Sequence, residues 1–220
     1  MKIGIEIDHI LRNINFQIIK YYKKDIVKDF DDESVNYNVV DIWKNIKFES
    51  KKKRYEFLFE DYPYEIFGCA RTMSRHLSLN LNNFLLELAD EGDKDQVCLF
   101  SLKEGGLSIQ STYYFLSKIG CKVREVLFPT KTDDIWDKCD IIITTNAELV
   151  KNKPEEKIVV LIKKDDMSSD LEKYADYVFD SLDDVLEAKY LFIRPQKKDK
   201  PISWFGSLKN KVMKKIGKHV

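Results

Sequence analysis

The stretch Ile5-Glu6-Ile7-Asp8-His9-Ile10-Leu11 near the start of the chain decides the fold. Residues 2–8 alternate between apolar and other side chains, which predicts a β-strand. Glu6 and Asp8 stand at alternate positions of that strand, so both carboxylates project to the same face. At the carboxyl end of a parallel strand, this face opens onto the crevice in which α/β folds bind ligands. Glu6 and Asp8 are therefore the first candidates for chemistry.

The rest of the chain alternates between short apolar runs and helical patterns. Strands built from continuous apolar residues are typical of parallel sheets that are covered on both faces. The alternation therefore predicts an α/β fold with a doubly wound parallel sheet. The further predicted strands are Val97–Ser101, Val123–Phe128, Asp140–Thr144, Lys157–Ile162 and Tyr177–Phe179, and the predicted helices are Leu107–Ile119 and residues 132–138, 146–152, 168–174 and 181–188.

Residues 13–90 interrupt this alternation and are mostly helical in pattern. We expect a helical cap at 13–90, inserted after the first strand of an α/β core formed by 1–12 and 91–193. A cluster of Tyr and Phe at 55–64 follows the basic run 51–54. Packing within the cap is the favoured interpretation of these aromatic residues, and a partner interface or stacking on nucleic-acid bases is the alternative.

A strand that ends in acid-x-acid and is followed by an inserted cap resembles the haloacid dehalogenase (HAD) superfamily of phosphohydrolases, most closely its deoxyribonucleotidase-type members. The resemblance implies a HAD-like Rossmannoid core and a Mg²⁺ site. It assigns the nucleophile position to Glu6 and the general acid/base position to Asp8. It also makes Ser101, at the end of the second core strand, a phosphate contact. The lysine that steadies the charged intermediate matches Lys131 best, with Lys138 as the alternative.

Three departures from the family pattern weaken the predicted catalytic site. Glu6 stands where the family has the nucleophilic Asp, and Thr144-Thr145 replaces the acidic pair that helps to hold the metal. His9 replaces a small residue, often Gly. Because Mg²⁺ requires near-ideal octahedral oxygen geometry, we expect its site to be lost. Asp165 and Asp166 could offer a replacement carboxylate, although a solvated loop is the favoured interpretation of that pair.

The net charge of zero conceals two oppositely charged parts. Residues 194–220 hold nine basic residues and one acid, so the rest of the chain carries a net charge of −8. After this basic linker, an amphipathic C-terminal helix is predicted. The residues that we expect to bind a partner are Trp204, Phe205, Leu208, Lys211, Val212, Lys215 and Ile216. A protein assembly partner, or the chain's own acidic body, is the favoured contact, and nucleic acid or an anionic membrane surface is the alternative.

These observations predict a catalytically degenerate HAD-like protein without a cofactor. In this interpretation Glu6, Asp8, Ser101 and Lys131 are vestigial, and the chain is a structural, assembly or binding component anchored by its C-terminal helix. The composition suggests an AT-rich genome, and a phage or virion-associated role would suit it. The alternative is a Mg²⁺-dependent, nucleotidase-like phosphohydrolase that uses Glu6 and Asp8.

The sequence also bears on where the chain resides. No apolar run approaches the roughly 18 residues of a transmembrane segment, and no signal peptide is visible. The four cysteines form no C-x-x-C motif, and Cys98 and Cys121 lie in or beside apolar runs. We expect buried, reduced thiols and therefore a cytoplasmic or virion-associated protein that is not secreted.

Overall fold

The structure is a computed structural model that describes residues 1–90, 96–102 and 104–191. The chain separates into two compact units, residues 1–188 and 189–220. In the second unit, the described residues Lys189–Leu191 form a short 3-10 helix. The predicted tail at 194–220, with Trp204, Phe205, Leu208, Lys211, Val212, Lys215 and Ile216, lies outside the described residues.

The first unit is built on a parallel sheet of six strands. The strands of the chain are β1 (Ile3–Glu6), β2 (Arg12–Asn13), β3 (Arg71–Thr72), β4 (Val97–Phe100), β5 (Glu125–Leu127), β6 (Ile141–Thr144), β7 (Ile158–Ile162) and β8 (Tyr177–Phe179). The large sheet has the order β5-β4-β1-β6-β7-β8, and β2 and β3 form a small antiparallel sheet. Because the chain places β4 and β5 on one side of β1 and the later strands on the other, the strand order reverses at β1. Such a reversal creates a crevice at the carboxyl ends of the strands.

Helices flank the sheet, which confirms the predicted α/β fold class. They are α1 (Asn15–Asp25), α2 (Lys51–Glu56), α3 (Leu77–Asp90), α4 (Ser108–Lys118), α5 (Asp133–Trp136), α6 (Ala147–Lys151) and α7 (Leu182–Glu187). Sequence signals set several of their ends. The Asn146 side chain caps α6 by accepting hydrogen bonds from two backbone N–H groups, and the Ser181 side chain caps α7. Gly120 follows α4 with φ +67°, the left-handed conformation in which glycine commonly ends helices.

The sheet is buried on both faces, which explains its continuous apolar strands. Cys98, Phe100 and Ile142 face a core layer formed by α5, α6 and the 3-10 turn Leu171–Tyr174. The intervening strand positions, such as Leu99 and Ile143, are fully buried as well. Fully buried side chains on both faces of the same strands place β1, β4 and β6 at the centre of the fold.

The segment between β2 and β3 is irregular and rich in aromatic residues. It contains α1, a 3-10 turn at Ile42–Lys44, α2 and two π-helical turns at Phe57–Asp61 and Tyr64–Gly68. Its own hydrophobic cluster joins α1 to both π-turns, and ring pairs such as Phe48 with Phe57 lie 5.2 Å apart. Phe57, Phe59 and Tyr62 thus pack within this segment, whereas Tyr55 and Tyr64 are exposed and Tyr64 packs on Tyr114 of α4.

Several observations refine the sequence expectations. Helix α3, which falls inside the predicted cap at 13–90, contacts α7 of the core, and its Asn80 side chain donates to Asp183 at 2.8 Å. The division into core and cap remains a prediction. The expected helix at 168–174 is a 3-10 turn. Cys98 is buried as expected, whereas Cys121 is partly exposed. In the described part of the chain, no helix is long and apolar enough to cross a bilayer.

Candidate functional site

A tight turn after β1 brings the candidate residues together. Ile7 donates its backbone N–H to Phe100 of β4 at 2.8 Å, and the N–H groups of Leu11 and Arg12 both return to the carbonyl of Ile7. His9 takes φ +64° inside this turn, a left-handed conformation that is uncommon for residues other than glycine. The reversal leads the chain back so that Arg12 lies beside Asp8.

Glu6 ends β1 on the side of β6 and is bound by two threonines. Its Oε2 atom accepts hydrogen bonds from the Thr144 hydroxyl at 2.7 Å, the Thr145 N–H at 2.7 Å and the Thr145 hydroxyl at 3.1 Å. The residue is 6% exposed. Burial raises the pKa of Glu6 from its ordinary 4.5 to about 7, although the hydrogen bonds of both threonines oppose that rise. The Glu6 carboxyl group is therefore held by hydrogen bonds from neutral groups, and it gains or loses its proton near neutral pH.

Lys164 adds a buried cation to the Glu6 side of the site. It follows β7 by two residues and is 4% exposed, and its Nζ donates to the Asn38 side chain at 3.3 Å. Burial lowers the pKa of Lys164, whereas the charges of Asp165 and Glu6 raise it. Lys164 and Glu6 are thus electrostatically linked.

The Asp8 carboxylate faces β4 and lies beside the charged side chain of Arg12. Its Oδ1 accepts a hydrogen bond from Arg12 Nε at 2.7 Å, and its Oδ2 accepts one from the Ser101 hydroxyl at 2.5 Å. Burial would raise the pKa of Asp8, but the charge and hydrogen bond of Arg12, with help from His9 and Ser101, bring it below its ordinary value. Asp8 is therefore an ionised carboxylate, and its side chain is 13% exposed.

Arg12 is the centre of a buried polar network. Its side chain is fully buried, and its Nη2 donates to Glu104 Oε1 at 2.6 Å. Its Nη1 donates to the Thr112 hydroxyl at 2.6 Å and to the Phe67 carbonyl at 3.2 Å. The guanidinium also lies 5.0 Å from the ring centre of Phe67 and 5.7 Å from that of Phe115. One guanidinium thus pairs with two carboxyl groups, Asp8 and Glu104, although burial raises the pKa of Glu104 against the charge of Arg12.

The structure brings together some of the predicted site residues and leaves others apart. Glu6, Asp8 and Ser101 meet at the carboxyl edge of the sheet, with Thr144 and Thr145 beside them. Lys131 lies in the loop after β5 and is exposed, as is the alternative Lys138. Among the described residues, no hydrogen bond or ion pair joins either lysine to this group.

Asp165 and Asp166 lie in a turn after β7, where Asp165 is exposed and Asp166 partly exposed, in keeping with the solvated-loop interpretation. The Asp165 carboxylate accepts hydrogen bonds from the side chains of Asn36 and Asn38. The Asp166 carboxylate accepts the N–H groups of Val40 and Asp41 at 2.9 Å. Both carboxylates thus also hold the segment 36–41 against this turn.

Sequence reasoning missed Arg12, Glu104 and Lys164. A signal existed for Arg12, which follows Asp8 by four residues and is the first basic residue after the acidic pair. Glu104 follows Ser101 by three residues and Lys164 follows β7, so both lie just beyond strand ends, where α/β folds place ligand groups.

The donor set does not fit a Mg²⁺ ion. Both oxygens of Asp8 and one oxygen of Glu6 already accept protein hydrogen bonds, and the family's acidic pair is Thr144-Thr145. Mg²⁺ is bound through carboxylates and oxygen ligands in octahedral geometry. Across the described residues, no group of three or more His, Cys, Asp or Glu side chains could hold a metal ion. The buried positive charges described at this edge of the sheet are those of Arg12, paired with Asp8 and Glu104, and of Lys164.

A cavity of about 430 Å³ opens beside the Glu6 end of the site. Thr145, Lys151 and Asp166 contribute polar groups to its lining, and Leu171 and Tyr174 contribute apolar surface. The cavity therefore lies at the carboxyl ends of β6 and β7, where this type of sheet binds ligands.

Comparisons with known proteins identify the fold. No protein-family model matches the chain, and no curated protein matches it. The chain is similar to a solved structure described as a crystal structure analysis of a dehalogenase, with 10% sequence identity and a TM-score of 0.50. The match covers 85% of this chain and 96% of the other. At this identity the likeness concerns the fold alone, and it supports a HAD-like fold without extending to the deoxyribonucleotidase type.

Proposed function

We propose that this chain is a catalytically inactive protein with a HAD-like fold that acts as a binding component of an assembly. The observation that carries this proposal is the buried Arg12 guanidinium, which pairs with both Asp8 and Glu104. It provides the positive charge that a phosphohydrolase of this fold would take from a metal ion. The Asp8 carboxylate of the predicted catalytic centre is thereby already paired with a side chain of this protein.

The state of Asp8 supports this conclusion. A general acid must hold a proton that it can donate, and its pKa should lie near the working pH. Asp8 is paired with Arg12 and has a lowered pKa, so it is ionised at neutral pH. The Ser101 hydroxyl donates its hydrogen bond to Asp8, so it is not available to donate to a phosphate oxygen.

The pKa and the hydrogen bonds of Glu6 also support a catalytically inactive protein. A carboxylate nucleophile must be ionised and free to approach its target. Glu6 has a pKa of about 7 and is buried, and its Oε2 accepts three hydrogen bonds. Attack through that oxygen would require the loss of these bonds.

A hydrolase is the second candidate function. It is favoured by the shifted pKa values of Glu6 and Lys164 beside the cavity lined by Thr145, since such shifts cluster at functional sites. In that case Glu6 is the nucleophile. The likeness to a dehalogenase structure is compatible with it.

A turnover assay separates the two candidates. The purified chain is incubated with phosphomonoesters, with and without Mg²⁺, and with 2-haloacids, and the release of phosphate and halide is measured. The matched control is Glu6→Gln, which keeps the size of the side chain and removes its charge. We expect no release above that control. Turnover by the wild type that disappears in Glu6→Gln would overturn the proposal and establish the hydrolase.

The binding role rests on the sequence of residues 194–220. An acidic body with a basic, amphipathic terminus suits attachment to a protein assembly partner. The phage or virion setting, the alternative nucleic-acid or membrane partner and the cytoplasmic location stay predictions.

A further inference from the structure

Two cysteine sulfurs meet at the amino-terminal part of the sheet, away from the polar site. Cys98 lies in β4, and Cys139 lies between α5 and β6. Their Sγ atoms are 3.4 Å apart and share a hydrogen bond, and both residues are fully buried. They are 41 positions apart in the chain, so only the fold brings them together.

Gly4 provides the space in which these sulfurs meet. It lies in β1 directly opposite Cys98, on the strand between β4 and β6. A Cβ atom at Gly4 would lie 2.8 Å from the Cys139 sulfur, closer than real Cβ atoms approach. The missing side chain therefore allows Cys139 to lie over β1 and reach Cys98.

We propose that Cys98 and Cys139 form a reversible disulfide when the protein meets a peroxide. A disulfide requires a sulfur–sulfur distance of about 2.05 Å, so the sulfurs must approach by about 1.4 Å. The proposal requires rotation about the side-chain bonds of both cysteines to supply this movement. The site is a covalent modification site independent of the proposed function.

Either sulfur can donate the hydrogen bond that joins the pair. With Cys139 as the donor, the hydrogen bond lowers the pKa of Cys98 and raises that of Cys139. In the proposed reaction the Cys98 thiolate is the attacking group. It attacks one peroxide oxygen and breaks the O–O bond, which leaves Cys98 as a sulfenic acid and releases hydroxide that takes up a proton to become water. The Cys139 thiol then displaces the sulfenic oxygen as a second water and forms the S–S bond.

The pair lies close to an exposed residue at the amino-terminal end of the central strands. Cys139 is followed by Asp140, whose side chain is 49% exposed. The backbone N–H of Asp140 bonds to the carbonyl of Lys2, and its carboxylate accepts hydrogen bonds from the Lys2 N–H and from Lys157. The proposed reaction requires a local opening of these few bonds, through which a small oxidant reaches the buried sulfurs.

Oxidation followed by peptide mapping tests the proposal on the full chain. The reduced protein is treated with hydrogen peroxide in native buffer, unfolded in the presence of an alkylating reagent, and digested for mass spectrometry. We expect Cys98 to be joined to Cys139, Cys69 and Cys121 to be alkylated, and dithiothreitol to reverse the bond. The oxidised protein should unfold at a temperature roughly 5 °C higher, because the bond closes a long loop.

Matched variants separate this pair from general thiol oxidation. Cys98→Ser should abolish the cross-link and the shift in unfolding temperature, whereas Cys69→Ser and Cys121→Ser should keep both. The wild-type peptide map alone decides the outcome if Cys98→Ser fails to fold. Alkylation of Cys98 and Cys139 after peroxide treatment, or a cross-link that forms only in denaturant, would overturn the proposal.

Discussion

Glu6 and Asp8 lie two residues apart at the end of β1, yet the fold shifts the pKa values of their carboxyl groups in opposite directions. On the β6 side, the hydrogen bonds that Glu6 accepts come from the neutral groups of Thr144 and Thr145, and its pKa rises to about 7. On the β4 side, Asp8 meets the guanidinium of Arg12, and its pKa falls. Both groups are buried, so burial alone does not set their charge.

This difference shows what a buried carboxyl group needs to remain ionised. Hydrogen bonds from hydroxyl and amide groups offset part of the cost of removing a charge from water. A formal positive charge at 2.7 Å, as Arg12 provides for Asp8, offsets considerably more. The Glu6 side is therefore the part of the site that responds near neutral pH, and the Asp8 side is a fixed ion pair.

Removal of Arg12 should have the largest effect on this contrast. Arg12→Met leaves Asp8 and Glu104 buried without their counter-charge, so we expect the free energy of unfolding to fall by about 3–5 kcal/mol. Urea unfolding at pH 7 measures this loss, with Arg75→Met as an exposed control. A triple variant that adds Asp8→Asn and Glu104→Gln should recover part of it. A loss below 1 kcal/mol for Arg12→Met would mean that the network is not a buried ion pair.

The pH dependence of stability should show the second-largest effect. Glu6 keeps its proton in the folded state up to a pKa of about 7, whereas the unfolded chain loses it near the ordinary value of 4.5. Its stabilising contribution is therefore complete below pH 4.5 and is lost as pH rises through 7, by about 3 kcal/mol. Asp8 has the opposite sign, because its lowered pKa makes folding less favourable as pH falls below its ordinary 3.8.

Unfolding curves between pH 3 and pH 9 distinguish the two groups. Glu6→Gln should remove the larger part of the decline in stability above pH 4.5, and burial also raises the pKa of Glu104, whose contribution of the same sign should remain. Glu33→Gln, at an exposed glutamate, should leave the decline intact. A wild-type profile that is flat between pH 5 and pH 8 would contradict the raised pKa of Glu6.

We expect the smallest change in stability from a substitution of Thr144, one of the two threonines that donate hydrogen bonds to Glu6. Thr144→Val removes the hydroxyl that donates to Glu6 and that also accepts the Asn146 N–H. We expect a loss of about 1–2 kcal/mol and a higher pKa for Glu6, so the pH-dependent decline moves to higher pH. Thr144→Ser keeps the hydroxyl and should resemble the wild type. Equal behaviour of the valine and serine variants would show that this hydrogen bond does not control Glu6.

Much of the fold followed from local patterns. The apolar runs around Leu99, Ile142 and Val160 are strands because continuous β-branched and aliphatic residues suit a sheet that is buried on both faces. Gly120 ends α4 because its positive φ suits glycine. The irregular π-turns at Phe57–Asp61 and Tyr64–Gly68 could not be predicted, since their shape depends on aromatic packing between distant residues.

The candidate site, like the fold, could be predicted from the sequence only in part. Alternation along the predicted strand 2–8 singled out Glu6 and Asp8, although β1 ends at Glu6 and Asp8 lies just beyond it. The resemblance to the HAD superfamily indicated that Thr144-Thr145 stands in place of an acidic pair. The partners of the two carboxylates were not predictable, because Glu104, Thr112 and Lys164 come from separate loops and helices.

The sequence by itself determined the parallel α/β sheet, the strand that carries the two acids and the charge contrast of the C-terminal segment. These depend on periodicity and composition, which are local or additive properties of the chain. Only the tertiary structure decided which carboxylate is charged, that Arg12 occupies the centre of the polar network, and that Cys98 meets Cys139 over Gly4. The physical reason is that burial and electrostatic pairing depend on distances between residues remote in the chain, and those distances exist only once the strands have been ordered around β1.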